Sequence, residues 1–124
     1  MNLPSDLKYA KTHEWVKNLG NGLFEIGLSD YAQKELGDIV YVNLPRAGDS
    51  LEAGKAFADV ESVKAVSDII SPVNGTVREI NELALSAPES INKAPYENWL
   101  IRAEGSIDES KLLSAGEYQA SLIG

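Results

Sequence analysis

The sequence has no cysteine, one histidine and one methionine in 124 residues. Without thiols there is no disulfide framework, no thiolate metal centre and no cysteine nucleophile, so any redox chemistry the chain joins has to be borrowed. A lone imidazole, His13, falls short of the three or four ligands that a zinc centre takes, and no metal site is expected. Basic residues are scarce: eleven Lys and Arg against nineteen Asp and Glu give a formal net charge of −8, which repels phosphate backbones and argues against nucleic acid as a partner. Apolar runs are short, with pairs such as Ile69-Ile70 far below the roughly 20 residues that span a bilayer, so no membrane association is expected. The opening MNLPSDLKYAKTHEW has no apolar signal core and carries Asp6 and Glu14, features that point to a cytoplasmic location. Neither a G-x-S-x-G elbow nor a glycine-rich phosphate loop is present, which sets aside serine hydrolases and nucleotide enzymes.

What is there suffices for one packed core. The hydrophobic content is 44%, no low-complexity linker interrupts the chain, and residues 1 to 124 read as one domain. Two apolar-aromatic runs, Trp15-Val16 and Leu23 to Leu28, flank Gly20-Asn21-Gly22 and predict a hairpin. Ser29 ahead of Asp30 to Leu36, with Gly37 behind, predicts a short helix over 29 to 36. Strands are expected at Ile39 to Leu44, Ala56 to Val63, Ala65 to Ile70, Thr76 to Ile80 and Trp99 to Ala103, with a turn at Pro72 to Gly75. The spacings Ser86 to Glu89 and Ser106 to Glu109 have the form of capping boxes, the first opening a brief helix near 88 to 92 and the second a terminal helix that Gly116 interrupts. Short strands with closely spaced turns predict a sandwich or barrel, with the strand sets on either side of residue 64 roughly balanced. The expected core is Trp15, Phe24, Ile26, Ile39, Val40, Val42, Val60, Val66, Ile69, Val77, Ile80, Leu100 and Ile101.

One segment stands out chemically. In VESVKAVSD, Val60 to Asp68, the single cation Lys64 sits between two β-prone flanks and among Asp59, Glu61 and Asp68. At a hairpin tip such a lysine holds a nucleophilic amine on a flexible stem away from the body, which suits acylation; a solvated surface lysine is the plain alternative. His13 is either a partly buried structural imidazole or a pH-sensitive one.

Several segments in one order resemble the glycine cleavage system H protein family: KYAKTHEWV at Lys8 to Val16, GLSDYAQKELGDIVYVNLP at Gly27 to Pro45, GDSLEAG at Gly48 to Gly54, VESVKAVSDIISPVNGTV at Val60 to Val77 and PYENWLI at Pro95 to Ile101. The HEW and ESVKA segments separate it from the lipoyl domains of 2-oxoacid dehydrogenases, which carry a D-K-A tripeptide where Val63-Lys64-Ala65 stands here. The resemblance implies an all-β fold with short flanking helices, a barrel-sandwich hybrid of two antiparallel sheets of the lipoyl and biotinyl carrier kind, closed by a C-terminal helix. It implies lipoate joined covalently to Lys64, which would supply the two sulfurs the sequence lacks. Glu61, Ser62, Val63, Ala65 and Asp68 match the pattern that lipoate-attaching enzymes read, and Thr12, Glu14 and Asp68 match by position the lining of a cleft that shelters the loaded arm. The carrier, with no catalytic residue of its own, would take the aminomethyl group of glycine from a pyridoxal-phosphate glycine decarboxylase (P protein) to a tetrahydrofolate-dependent aminomethyltransferase (T protein). Dihydrolipoamide dehydrogenase (L protein) would then reoxidise it.

The run Pro95 to Trp99 departs from the family in lacking glycine. Three rival readings stand beside this one. A biotinyl carrier has methionines flanking its lysine, whereas Met1 is the only methionine here. A lipoyl relay protein uncoupled from glycine would show the same lysine. A stand-alone acid–base enzyme using His13 and Glu14 would lack a convergent third group.

Overall fold

The computed structural model describes residues 1–123. Nine strands run in the order β1 (Lys8–Tyr9), β2 (Glu14–Gly20), β3 (Leu23–Leu28), β4 (Ile39–Asn43), β5 (Ser50–Leu51), β6 (Ala56–Ser62), β7 (Val66–Ile70), β8 (Val73–Ile80) and β9 (Ile101–Ile107). Four short helices complete the chain: α1 (Asp30–Leu36), α2 (Glu82–Ser86), α3 (Ser90–Lys93) and α4 (Ala115–Ile123). All pairings are antiparallel, and they build two sheets, a six-stranded one in the order β1-β2-β3-β9-β8-β5 and a three-stranded one in the order β4-β6-β7. The two-sheet, helix-flanked architecture is the expected one; the balance of strands about residue 64 is not. No helix among the described residues is long and apolar enough to cross a membrane.

Local signals account for the first third of the chain. The β2–β3 hairpin turns through Gly20, Asn21 and Gly22, all at positive φ, where glycine and asparagine are least strained. Ser29 caps α1, its Oγ accepting from Ala32 N at 3.1 Å, and Gly37 ends the helix at φ +74°, donating its N–H to the Gln33 carbonyl. Glycine is also required at Gly27, for a different reason. A Cβ there would lie 2.5 Å from the Trp15 indole, so the buried tryptophan lies flat across the β3 backbone.

Other expectations are corrected by neighbours distant in sequence. Val40 and Val66 are exposed, not core. A bulge between Ile39 and Tyr41 breaks the alternation of β4, so Val40 and Tyr41 both face out while Ile39 and Val42 face in. Val66 pairs with Glu61 on the outer face of the small sheet. Ile80 is only partly buried. The expected turn at Pro72 to Gly75 is cut short, because β8 already starts at Val73 opposite Ile107. Trp99 precedes β9 and lies under the Arg102 guanidinium, 4.2 Å from ring centre to Cζ.

Neither proposed capping box forms. Ser86 ends α2, a helix not anticipated, which Asn81 caps by accepting from Leu83 N; α3 has Glu89 before it with no side-chain cap. Ser106 lies in β9, and Asp108 caps only a 3-10 turn, Glu109–Lys111. The working box is Ser114 and Glu117: the Glu117 carboxylate accepts from Ser114 N at 2.9 Å, and Ser114 Oγ accepts from Glu117 N at 3.2 Å. Gly116 sits in the first turn of α4 and does not interrupt it.

Candidate functional site

Lys64 stands at the tip of the β6–β7 hairpin, and the backbone of that tip is tied down from two sides. Ser62 Oγ accepts from the N–H groups of both Lys64 and Ala65 at 3.1 Å, and Ser62 N donates to the Ala65 carbonyl at 2.8 Å. These bonds replace the Asn-Gly chemistry that a two-residue turn would use. Val63 N donates to the Asp38 carbonyl at 3.0 Å, anchoring the tip to the strand entry of β4. The Lys64 side chain is exposed, and its stem passes over Gly37, where an added Cβ would sit 3.4 Å from Lys64 Cε. The requirement for glycine at 37 comes from its φ of +74°, since a Cβ there would make only ordinary contact with the stem.

A cleft of about 140 Å³ opens between α1, the start of β2 and the inner side of the small sheet, reaching Leu36 next to Gly37. Its walls are apolar at Leu28, Leu36, Val60 and Ile69, and polar at Thr12, Glu14 and Asp68. Thr12, Glu14 and Asp68, expected from position alone to share a site, come from chain segments more than fifty residues apart and meet here. Along the chain Asp68 is four residues from Lys64, at most roughly 13 Å at about 3.3 Å per strand residue.

Glu14 is the chemically unusual member. It is 1% exposed, accepts from the Thr12 hydroxyl through Oε1, and accepts from Ile70 N through Oε2 at 3.2 Å. Burial pushes its carboxyl up to about 7, against the opposing pull of the Thr12 and Ile70 hydrogen bonds. A carboxyl held there changes charge near neutrality, and a cation entering the cleft would draw it to the ionised form.

His13 and its surroundings were not anticipated as part of this wall. Its backbone has φ +80°, uncommon for any residue with a Cβ, and its Nδ1 shares a hydrogen bond of 2.7 Å with the Tyr118 hydroxyl. That hydroxyl also meets Ser29 Oγ at 2.8 Å, so the cap of α1, the terminal helix α4 and the cleft wall join in one buried chain of hydrogen bonds. Burial holds the imidazole pKa down, with Glu35 opposing, which favours the structural reading of His13 over a protonated one. Tyr31 and Glu35 also line the cleft. Their signal was available, since Tyr31, Ala32, Glu35 and Leu36 share one face of α1 at helical spacing. Tyr118 had no such signal, because nothing local links it to residue 13.

The glycine-free run at Pro95 to Trp99 keeps a defined shape by other means. Asn98 Nδ2 donates to the carbonyls of Ser90 and Ala94, and the Pro95 carbonyl accepts from Trp15 Nε1 at 3.0 Å.

Comparison with known proteins places this geometry. Residues 7–123 match the family model described as Glycine cleavage H-protein. A glycine cleavage system H protein from Treponema denticola is 50% identical over 119 residues, covering 96% of this chain and 97% of that protein. One from Opitutus terrae is 48% identical over 126 residues, covering 99% and 98%. The crystal structure of a glycine cleavage system H protein from Mycobacterium marinum superposes with a TM-score of 0.91 at 34% identity, covering 98% of this chain and all of the other. With nearly the whole chain matched in sequence and in fold, the protein belongs to the glycine cleavage H-protein family.

Proposed function

We propose that residues 1 to 124 act as one lipoyl-carrier domain of the glycine cleavage system in the cytoplasm, with lipoate joined by an amide to Lys64 and no catalytic residue of its own. The observation that carries this reading is the pairing of an exposed lysine on a hydrogen-bonded hairpin tip, its stem beside Gly37, with a cleft lined by the neighbouring Leu36. The residues fit the group: an aliphatic arm suits the walls of Leu28, Leu36, Val60 and Ile69, and a polar end suits Thr12, Glu14 and Asp68.

When bound, the lipoyl group supplies the redox-active sulfur pair that the cysteine-free chain lacks. The chain's own residues position and shelter. Ser62 and the Asp38 carbonyl hold the tip still, so that motion is confined to the arm. Glu14 and Asp68 offer carboxylates to the cationic cargo derived from glycine, and Thr12 orients the Glu14 carboxyl through its hydroxyl hydrogen bond. Below about pH 7 Glu14 gives up a proton as that cation settles. Tethering makes each meeting with a partner a high-effective-concentration event. The partners are glycine decarboxylase (P protein), aminomethyltransferase (T protein) and dihydrolipoamide dehydrogenase (L protein), together with the lipoate-attaching enzyme, for which Glu61, Ser62, Val63, Ala65 and Asp68 form the recognition segment.

The test is the intact mass of the chain after incubation with a lipoate ligase, ATP and lipoate, beside Lys64→Arg. One lipoyl addition on the wild type and none on the variant is expected. No addition on the wild type, or an equal addition on the variant, would end the proposal.

A further inference from the structure

Eight large hydrophobic side chains are exposed among the described residues, and four of them surround Lys64: Val40 at 57%, Tyr41 at 47%, Val63 at 66% and Val66 at 67%. Their grouping follows from the register. Tyr41, Glu61 and Val66 are successive partners in one row across β4, β6 and β7, on the face of the small sheet that turns away from the core. The bulge at Ile39/Tyr41 adds Val40 to that face, where regular alternation would have buried it. Val63 closes the group at the tip, its N–H bonded to the Asp38 carbonyl. On the opposite face of the same strands, Val42 and Val60 are buried.

The charge on this face has one sign. No Lys or Arg occurs in β4, β6 or β7, whereas Glu61 lies within the apolar row and Asp59 stands in the next row beside Asn43. Lys64 itself is the one cation at its edge. An exposed apolar group rimmed by carboxylates fits a partner that is apolar at its centre and basic at its rim.

Reach selects which partner. An unmodified lysine amine stands about 6 Å from its own Cα, so an enzyme that acylates it has to close onto the hairpin and cover the side chains next to it. Enzymes that meet the protein after an arm has been added work at the end of a longer tether and are free of that constraint. We propose that the outer face of the three-stranded sheet, centred on Val40, Tyr41 and Val66 with Glu61, is the docking face for the enzyme that attaches lipoate to Lys64. The inference rests on Lys64 being the attachment point, and it extends the contact from the hairpin onto β4, a strand separated from the lysine by some twenty residues.

The experiment follows lipoate attachment by intact mass over time, with a lipoate ligase, ATP and lipoate, on the full chain and on Tyr41→Lys, Val66→Lys, Tyr41→Phe and the remote Leu19→Lys. Circular dichroism and thermal melting accompany each variant. Tyr41→Lys and Val66→Lys are expected to lower kcat/KM about tenfold or more, chiefly through KM, while Leu19→Lys and Tyr41→Phe stay within about twofold. Added salt is expected to slow the wild type. A natively melting Tyr41→Lys and Val66→Lys pair that matched the wild-type rate would overturn the docking face while leaving Lys64 as the attachment point. A wild type that took no lipoate would overturn the functional proposal, and this inference with it. A wild type that sedimented as a dimer, with Tyr41→Lys monomeric, would assign the face to a second copy and overturn the proposal.

Discussion

The molecule has two ends that use their side chains in opposite ways. At the β1–β2 end Tyr9, Trp15 and Tyr118 are buried, with Tyr9 and Tyr118 stacked at 4.8 Å. Every polar atom of the three is engaged there: Tyr9 with the Pro4 carbonyl, Trp15 with the Pro95 carbonyl, Tyr118 with His13 and Ser29. At the hairpin end Val63, Lys64 and Val66 face solvent, and only the backbone is held. The contrast teaches that packing is concentrated away from the exposed lysine. The tip keeps its position through hydrogen bonds made by Ser62 and Val63, none of which engages the lysine side chain.

The comparison can be broken at either end. Trp15→Ala is expected to lose about 3–5 kcal/mol by denaturant unfolding, since it empties the aromatic cluster and orphans the Pro95 carbonyl. A loss no greater than that of a hairpin substitution would show that the two ends do not differ. Glu14→Gln sharpens the comparison through pH. The folded carboxyl is raised from 4.5 to about 7, so its contribution is fully present below the ordinary carboxylate range and is lost as pH rises through about 7. Relative to Glu14→Gln, the wild type should therefore lose about 3 kcal/mol between pH 4.5 and 8, and parallel stability curves would refute the raised value. Tyr118→Phe is expected to cost about 1–2 kcal/mol, because it removes the shared hydroxyl, leaves His13 Nδ1 unpartnered and leaves Ser29 Oγ only its cap bond to Ala32 N. Its second readout is the His13 imidazole shift by NMR, which should move even though the ring stack remains. The smallest effect is Val40→Ser, expected within about 0.5 kcal/mol of wild type at equilibrium.

Much of the fold could be read along the chain because it rests on local chemistry. The Gly20 to Gly22 turn, the Ser29 cap and the Gly37 stop each involve residues within a few positions of one another. Lys64 could be placed at a hairpin tip for the same reason, from two β-prone flanks around one cation. The capping boxes show the limit of such reasoning. Ser86-x-x-Glu89, Ser106-x-x-Glu109 and Ser114-x-x-Glu117 have the same form, yet only the last caps a helix, because β9 claims Ser106 through its pairing with Asn74 and Ser86 is spent inside α2. The cleft was legible in part. Thr12, Glu14 and Asp68 could be named from position, while Tyr31, Glu35 and the His13–Tyr118 contact required the helices to be seated against the sheets.

The sequence by itself therefore determined much of the strand-and-turn order, the lone cation among the acids of Val60 to Asp68 and the absence of any thiol, all properties of composition and short spacing. Only the tertiary structure decided which valines face water, why burial raises the carboxyl of Glu14 toward neutrality, and that the lysine stem lies beside Gly37. Those depend on burial, and burial is set by residues that are far apart in the chain and adjacent in space.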